Sequence, residues 1–399
     1  MHYDIVVAGA GMNGAAMACA LARLPEAASL RIAIVDAGDA PARYEGEQFD
    51  PRVVALTPRS SQLLDDLNCW QKIIAARACA YTDMQVWDSE GTASLHFAAD
   101  EVRLPLLGHI VENSVVVGAL HEEISRCPNL EFLQPFRIDE LLPDSGNGIT
   151  RLRLQEGREL TTALLIAADG ASSVLRNLAG FATREWDYGQ SAIVTTVRTE
   201  KPHQNTAWQR FMPTGPLAFL PLQETGNRHF CSIVWSADTP LAEQLMALDD
   251  TAFATALGRA FEQRLGRVES VAQRFCIPLR QRHARQYFQP GIVLIGDAAH
   301  SIHPLAGQGV NLGFGDVVAL RDEIQRALQR QIPLQDLSIL RRYQRQRLGD
   351  NLAMMAAMEG FKRLFGQRSP AVAWLRNAGM RGFSALPGLR QFIIRQVAG

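Results

Sequence analysis

The spacing of apolar residues changes several times along this chain, and the changes mark its elements. Tyr3–Ala8 is a continuous β-rich apolar run, as a buried strand requires. From Met12 the pattern becomes helical and rich in alanine. "RIAIVD" (Arg31–Asp36), "ALLIAADG" (Ala163–Gly170) and "GIVLI" (Gly291–Ile295) are further short strands that end at acids or glycines. A long helical pattern, "GVNLGFGDVVALRDEIQRAL" (Gly309–Leu328), follows the last of them. Strands of this kind that alternate with helices predict a parallel α/β sheet. Between Gly170 and Gly291 the texture differs. "QSAIVTTVRTE" (Gln190–Glu200), "GPLAFLPL" (Gly215–Leu222) and "HFCSIVWS" (His229–Ser236) are alternating and β-branched, which predicts an antiparallel sheet. From about residue 341 the pattern is helical and basic.

These textures divide the chain into a discontinuous α/β unit, residues 1–75 with 111–185 and 276–340, an antiparallel unit, 76–110 with 186–275, and a helical region, 341–399. One segment, Ile5–Ala22, has no charge and the length of a membrane helix. Glycines and Asn13 interrupt it and it lacks a basic start, so a strand–turn–helix is the better reading.

Length and composition sharpen this picture only slightly. A chain of 399 residues is long enough for two or three domains. A net charge of −1 gives no global reason to expect a nucleic-acid partner. The six cysteines are scattered without a C-x-x-C pair, which favours reduced thiols in a cytoplasmic protein and buried small hydrophobes.

The chemistry begins at Gly9, Gly11 and Gly14, in G-x-G-x-x-G spacing between strand and helix. The first glycine makes the turn, the second admits a pyrophosphate, and the third lets helix and strand pack. Met12 and Asn13 lie at the helix start, where phosphates meet its positive end. Asp36 ends the second strand, where a carboxylate can accept hydrogen bonds from ribose hydroxyls. The motif alone does not separate NAD from FAD.

A second junction, "GDAAHSIHPLAGQGVNLG" (Gly296–Gly313), raises three readings: a metal site, a nucleotide site or a turn. Asp297, His300 and His303 could form a three-ligand set, but Pro304 interrupts any helix aligning the histidines and no fourth ligand is near. A glycine-rich helix start with surface histidines explains the glycines alone. A two-part nucleotide site explains both junctions, because a long cofactor such as FAD needs both. No resident metal is expected.

With "AADGASSVLR" (Ala167–Arg176) between them, the two junctions resemble the class A aromatic flavoprotein monooxygenases. "HPLAGQGVNLGFGD" (His303–Asp316) is similar to the signature of the ubiquinone-biosynthesis hydroxylases, the UbiH/VisC family. "LGHIVENSVV" (Leu107–Val116), "CSIVWS" (Cys231–Ser236) and "LRRYQRQR" (Leu340–Arg347) look most like its VisC-type 2-polyprenylphenol hydroxylases. The resemblance covers nearly the whole chain. Asp36 stands where many relatives have glutamate.

The resemblance implies a Rossmann-like FAD-binding domain of the p-hydroxybenzoate hydroxylase type, an antiparallel substrate sheet and a C-terminal helical region. It implies that Asp297 contacts the flavin ribitol, that Asp169 lies near FAD and the nicotinamide donor, and that Arg52 lies close to the flavin. It assigns the flavin-facing wall to Pro304 and to the backbone of Gly307, Gln308, Gly309, Val310 and Asn311, with Pro304 and Gln308 as the catalytic candidates. The implied reaction inserts one atom of O2 into a phenolic ring through a flavin C4a-hydroperoxide. The reductant is NAD(P)H, binding transiently for want of a second G-x-G-x-x-G, or an electron-transfer protein.

Trp208, Phe211, Phe219 and Trp235 are candidates for the substrate pocket or for plain core. His109, His203 and His229 are candidates for a base or for ordinary hydrogen-bonded histidines. Two other readings remain: a flavin-dependent prenyl reductase, and a non-catalytic flavin-keeping scaffold of a biosynthetic complex. The missing W-x-W-x-I-P segment argues against a flavin halogenase. Residues 341–399 carry eleven Arg/Lys against Asp350 and Glu359, with apolar residues interleaved. Such a segment suits the inner face of an anionic membrane, a partner protein, a homo-oligomer contact or packing on the nucleotide domain.

Overall fold

The computed structural model describes residues 1–90, 94–142, 148–301 and 309–366. Its first sheet has the central order Phe288–Gln289, Ile292–Leu294, Glu159–Ala167, His2–Ala8, Ile32–Val35, Leu130–Leu133. From Ile292–Leu294 onward these strands are parallel. Their near-continuous apolar sequences follow from burial on both faces. The helices Met12–Ala22, Asn113–Ile124 and Gly309–Gln329 share a core with this sheet, in which Met17, Leu21, Leu120, Phe314 and Val317 are buried. The charge-free segment from Ile5 to Ala22 is therefore a strand and a separate helix. No described helix is long and apolar enough to cross a membrane.

The second sheet has nine strands, mostly antiparallel, built around Thr183–Thr199 and Asn227–Asp238. The expected antiparallel texture is present, and the fold is the Rossmann-like unit, antiparallel sheet and C-terminal helix that the patterns imply. A boundary shifts, however. Residues 276–284, expected with the nucleotide unit, belong to the strand Phe275–Ala284, which pairs along Thr183–Val194 in the second sheet. A small third sheet also joins segments from both expected units, because Gly108–Glu112 pairs with Val53–Leu56 on one side and Ala78–Tyr81 on the other. The helix Leu337–Gly366 leads into the C-terminal region, and residues 367–399 lie outside the described residues.

Alternation decides which faces the second sheet presents. Ile193, Val197, Leu217, Phe219, Ile233 and Trp235 form a closed core with Phe253, Leu257 and Phe261 of a covering helix segment. Phe219 stacks on Phe261 with ring centroids 3.7 Å apart. Trp208 packs against that core and Phe211 against the neighbouring one, so none of the four aromatic pocket candidates lines the cleft described below. Their odd positions put Phe219 and Trp235 on the face opposite Leu220 and Val234. We expect Phe261→Ala to destabilise the protein by about 3–5 kcal/mol through cavity formation, read as a lowered denaturation midpoint. An unchanged midpoint would show that this core does not carry the sheet.

Candidate active site

Parallel pairing gathers residues that are far apart in sequence. Ala8 is in register with Ala167 and with Val35, and Ala167 with Leu294. The next residues therefore emerge on one edge of the sheet: Gly9, Asp36, Asp169 and the Gly296–Asp297 turn. This is the carboxyl end of an open α/β sheet, where ligands bind.

The three glycines of the first motif are distinguished by space. Gly9 has φ +100°, and a Cβ there would lie 2.5 Å from the Ala168 carbonyl oxygen. At Gly14 it would lie 1.9 Å from the Gly9 carbonyl oxygen, so the helix can seat only on glycine. Gly11 has nothing within 4 Å and opens onto a cleft of ≈ 800 Å3. A second cleft of ≈ 380 Å3 shares Gly11, Asp36, Gly38, Ala168 and Gly170 with the first and is also lined by Gly9 and Asp169. The two form a path across the glycine turn. Asp36 holds this turn by accepting the Ala10 N–H (2.5 Å) and the Gly38 N–H (2.7 Å). A carboxylate retains further acceptor sites for a ligand hydroxyl.

The second junction meets the first through Asn13. A Cβ at either Gly296 or Gly313 would come within 2.3 Å of Asn13 Nδ2, so this side chain fills the slot between them. Asp297, Gly309 and Val310 line the larger cleft, together with Met12 and Asn13. The Asp297 side chain is exposed in the cleft, and partial loss of hydration between the surrounding walls raises its carboxyl above the usual range. Asn311 does not line it. Its Oδ1 accepts from Thr57 N (3.1 Å) and Ser60 Oγ (2.6 Å), while its Nδ2 donates to Ala55 O (2.8 Å). Its side chain is a clamp between two elements. Pro304, Gly307, Gln308 and His303 lie outside the described residues.

Behind this turn sits Asp316, fully buried. Its Oδ2 accepts the Gly296 N–H (2.9 Å) and bonds His300 Nε2 (2.6 Å); its Oδ1 accepts Arg347 Nε (2.8 Å). Burial alone would raise this carboxyl, but His300 and Arg347 outweigh it and hold it below the usual range. His300 is thus engaged in a buried pair with Asp316. The DG segment joins the same assembly: Asp169 Oδ2 accepts the Leu175 N–H, and the buried Arg176 donates to the carbonyls of Ala298 and Ala171, each at 3.0 Å.

Arg52 lines the larger cleft with its side chain largely exposed, and Asp50 fixes the backbone beneath it. Asp50 accepts from Arg52 N (2.9 Å) and Ser114 N (2.9 Å), and its own N–H goes to Glu112 (2.6 Å). Asp50, Tyr44, Asn113 and His121 were not singled out from the sequence, although all line the cleft. Asn113 lies within the stretch Leu107–Val116. His121 donates through Nε2 to the Ala10 carbonyl (2.8 Å), a contact that no local pattern announces.

The three candidate histidines stand elsewhere. His203 Nε2 donates to Leu222 O (2.9 Å) and its Nδ1 accepts from Asn205 N. His229 Nδ1 donates to Thr199 O (2.8 Å), and His109 packs edge-on against Trp70. None lines either cleft. They are scaffold histidines, and the structure offers none of them as a base.

The cleft has a second wall of a different kind. Ala192, Val194, Leu220, Val234, Ile277 and Leu279 of the second sheet close it from above. An apolar roof thus faces a polar, glycine-lined floor.

A family model described as "FAD binding domain" matches residues 2–357. The mitochondrial ubiquinone biosynthesis monooxygenase of Xenopus tropicalis is 34% identical over 439 residues, covering 98% of this chain and 92% of its own. The chain belongs to the ubiquinone-biosynthesis hydroxylase family of class A flavoprotein monooxygenases. The 3-demethoxyubiquinol 3-hydroxylase of Escherichia coli strain K12 is likewise 34% identical to this enzyme, over 99% of the chain and 98% of the relative. Among solved structures, a probable FAD-dependent monooxygenase from Pseudomonas aeruginosa shares the fold with a TM-score of 0.77 at 21% identity, covering 96% of this chain and 100% of that one.

The residues of the monooxygenase fit its cofactor. Asn13 and Asn113 line the larger cleft and Asp169 the smaller, and each keeps one buried oxygen with no partner among the described residues. Buried polar oxygens without partners cost free energy, which a bound polar cofactor would recover. Gly11 supplies the open approach to the backbone.

Two outcomes are expected. The purified enzyme should carry FAD, and Asp297→Ala should weaken FAD retention by about 1.5–3 kcal/mol, with Gly14→Val weaker still; a colourless parent that stays so after addition of FAD would contradict this. The second concerns acid stability. Burial lowers the pKa of His203 and of His283 to about 4. Between about 6.5 and about 4 the unfolded chain binds protons that the folded one does not, so stability falls as pH drops through this window. His203→Gln should reduce the slope of unfolding free energy against pH there by about 1.4 kcal/mol per unit. An unchanged slope in denaturant titrations would show that His203 is protonated in the fold.

Proposed function

We propose that this enzyme hydroxylates the aromatic ring of a polyprenylphenol intermediate of ubiquinone biosynthesis, with FAD as cofactor, O2 as co-substrate, and NAD(P)H or an electron-transfer protein as reductant. The observation that carries the reading is the single cleft in which a polar nucleotide floor meets an apolar roof. The names of the two relatives, both concerned with ubiquinone or its precursors, support the pathway.

The flavin, when bound, supplies the oxygen-transfer chemistry, and the chain does the rest. Gly9, Gly11, Gly14 and the start of the helix Met12–Ala22 hold the diphosphate, Asp36 the adenosine ribose and Asp297 the ribitol. Arg52 and Asp169 lie along the path between these ends. Of the stretch that the resemblance assigns to the flavin face, Gly309 and Val310 line the cleft and would stand beside the ring, and the catalytic candidates Pro304 and Gln308 belong to the same stretch. The roof residues Val194, Leu220, Val234 and Leu279 exclude water from the ring and orient it, which matters because water would divert the activated oxygen.

The nucleotide unit comprises 1–75 with 111–185 and most of 276–340, and the substrate unit 76–110 with 186–275. The basic, apolar region 341–399 would hold the enzyme at the inner face of the membrane or in a complex, near a substrate that resides in lipid.

The test has two arms. Cells without this protein should accumulate a quinone precursor one hydroxyl short, identified by mass spectrometry. The purified enzyme should consume one O2 per catechol formed. Reduction of a prenyl double bond without O2 uptake would replace this reading with the reductase.

A further inference from the structure

The apolar roof does not end where the cleft ends. Along the strand Phe275–Ala284 alternate side chains share a face. Ile277 and Leu279 line the cleft, so Phe275 points to the same side. Leu279 is buried, but Ile277 is 45% exposed and Phe275 37%. Each is paired with a roof residue, Ile277 with Ala192 and Phe275 with Val194. These are continuations of the roof's own rows, carried outward by one strand.

Beyond this strand the sheet is open among the described residues. His300–Ser301 pairs only with Arg282 and His283, at the far end. Among the described residues, 275–279 are therefore a sheet edge, and two large apolar side chains sit on it next to the mouth of the cleft. Exposed apolar edges are liabilities that chains ordinarily blunt. Pro278 does blunt this one against an added strand, since proline has no N–H to donate. That argues against a pairing protein. The neighbouring cations argue against an anionic membrane surface: Arg274 pairs with Asp250 (3.2 Å) and Arg280 with Asp187 (3.7 Å). What suits a neutral apolar track leading out of a cleft is a neutral apolar chain.

We propose that Ile277 and Phe275 form the seat of the substrate's hydrocarbon tail, which leaves the cleft over the edge of the strand Phe275–Ala284. The proposal rests on the reading of the substrate as a tailed phenol. The ring lies under Val194, Val234 and Leu220, and the tail crosses Ile277 and then Phe275. Tail length is thus sensed outside the reaction chamber. The first isoprene unit meets Ile277, and later units meet Phe275.

The test uses the FAD-loaded full chain and two probes, a phenol bearing one isoprene unit and one bearing three. Binding is measured by equilibrium dialysis, which does not depend on turnover. The parent should bind the three-unit phenol at least roughly tenfold more tightly, as expected when an extra alkyl segment covers an apolar seat. Phe275→Ser should reduce that ratio to about twofold, mainly by weakening the three-unit phenol. Phe275→Leu should restore it. A ratio in Phe275→Ser equal to the parent's overturns the seat. So does loss of sedimentation with anionic vesicles in that variant while the ratio holds, which would assign the edge to a membrane. A parent that hydroxylates both phenols yet binds them equally overturns the seat but leaves the proposed reaction standing. A parent that binds neither phenol overturns both.

Discussion

A carboxylate without access to water is the constraint on which the cofactor region depends. Removing a charge from water is costly, and the cost is offset only by close partners of good geometry. Asp316 has them from three separate elements: Gly296 N at the strand end, His300 in the following turn, and Arg347 on the long helix Leu337–Gly366. Arg347 reaches on to the Leu312 carbonyl and to Asn351, and Asn351 to the hydroxyl of Tyr287. None of these elements can move alone without stranding a buried charge. The Gly296–Asp297 turn is therefore fixed from behind, and Asp297 faces the cleft from a backbone that is already ordered.

The same logic of shared anchoring runs through the floor. Asn13 occupies the slot between Gly296 and Gly313, so the first glycine motif and the second junction, nearly 300 residues apart, define each other's position. His121 and Asp36 hold Ala10 from opposite sides, one at its carbonyl and one at its N–H. The outcome is a rigid polar floor in which a few oxygens, on Asn13, Asn113 and Asp169, keep no partner among the described residues. Preorganisation of this kind lowers what a ligand must spend in ordering the site. The roof belongs to a different sheet, whose other face has its own closed core. Floor and roof can thus be shaped by different demands, the cofactor's on one side and the substrate's on the other.

What could be read from the amino-acid order follows from how local each cause is. The turn at Gly9, Gly11 and Gly14 is legible because backbone sterics act over a few residues. The strand at Tyr3–Ala8 and the acid at Asp36 are legible for the same reason. The sheet at Gln190–Ser236 is legible from its alternation. Which face of that alternation meets the cleft is not, because Phe219 and Leu220 are equally apolar and only the covering helix with Phe253 and Phe261 decides between them. Asn311 shows a second limit. It lies inside the second junction, but its side chain is committed to Ala55, Thr57 and Ser60, more than 250 positions earlier. His203 shows a third, since burial against the Leu222 carbonyl makes a plausible base into a neutral scaffold group.

The strand Phe275–Ala284 illustrates why a boundary drawn by texture misplaces a functional edge. By position it precedes the Gly291–Ile295 strand and reads as the approach to the nucleotide sheet. By pairing it belongs to Thr183–Val194 and closes the roof. Its C-terminal end then joins the floor, where Arg282 and His283 pair with Ser301 and His300. One strand therefore carries apolar residues at the mouth of the cleft and, some five positions on, polar contacts to the turn that bears Asp297. Through His300 and Asp316 that turn is tied to the long C-terminal helix. The placement of the roof's edge and of the flavin-side carboxylate is consequently a single structural problem, and the buried Asp316 charge is what admits only one solution to it.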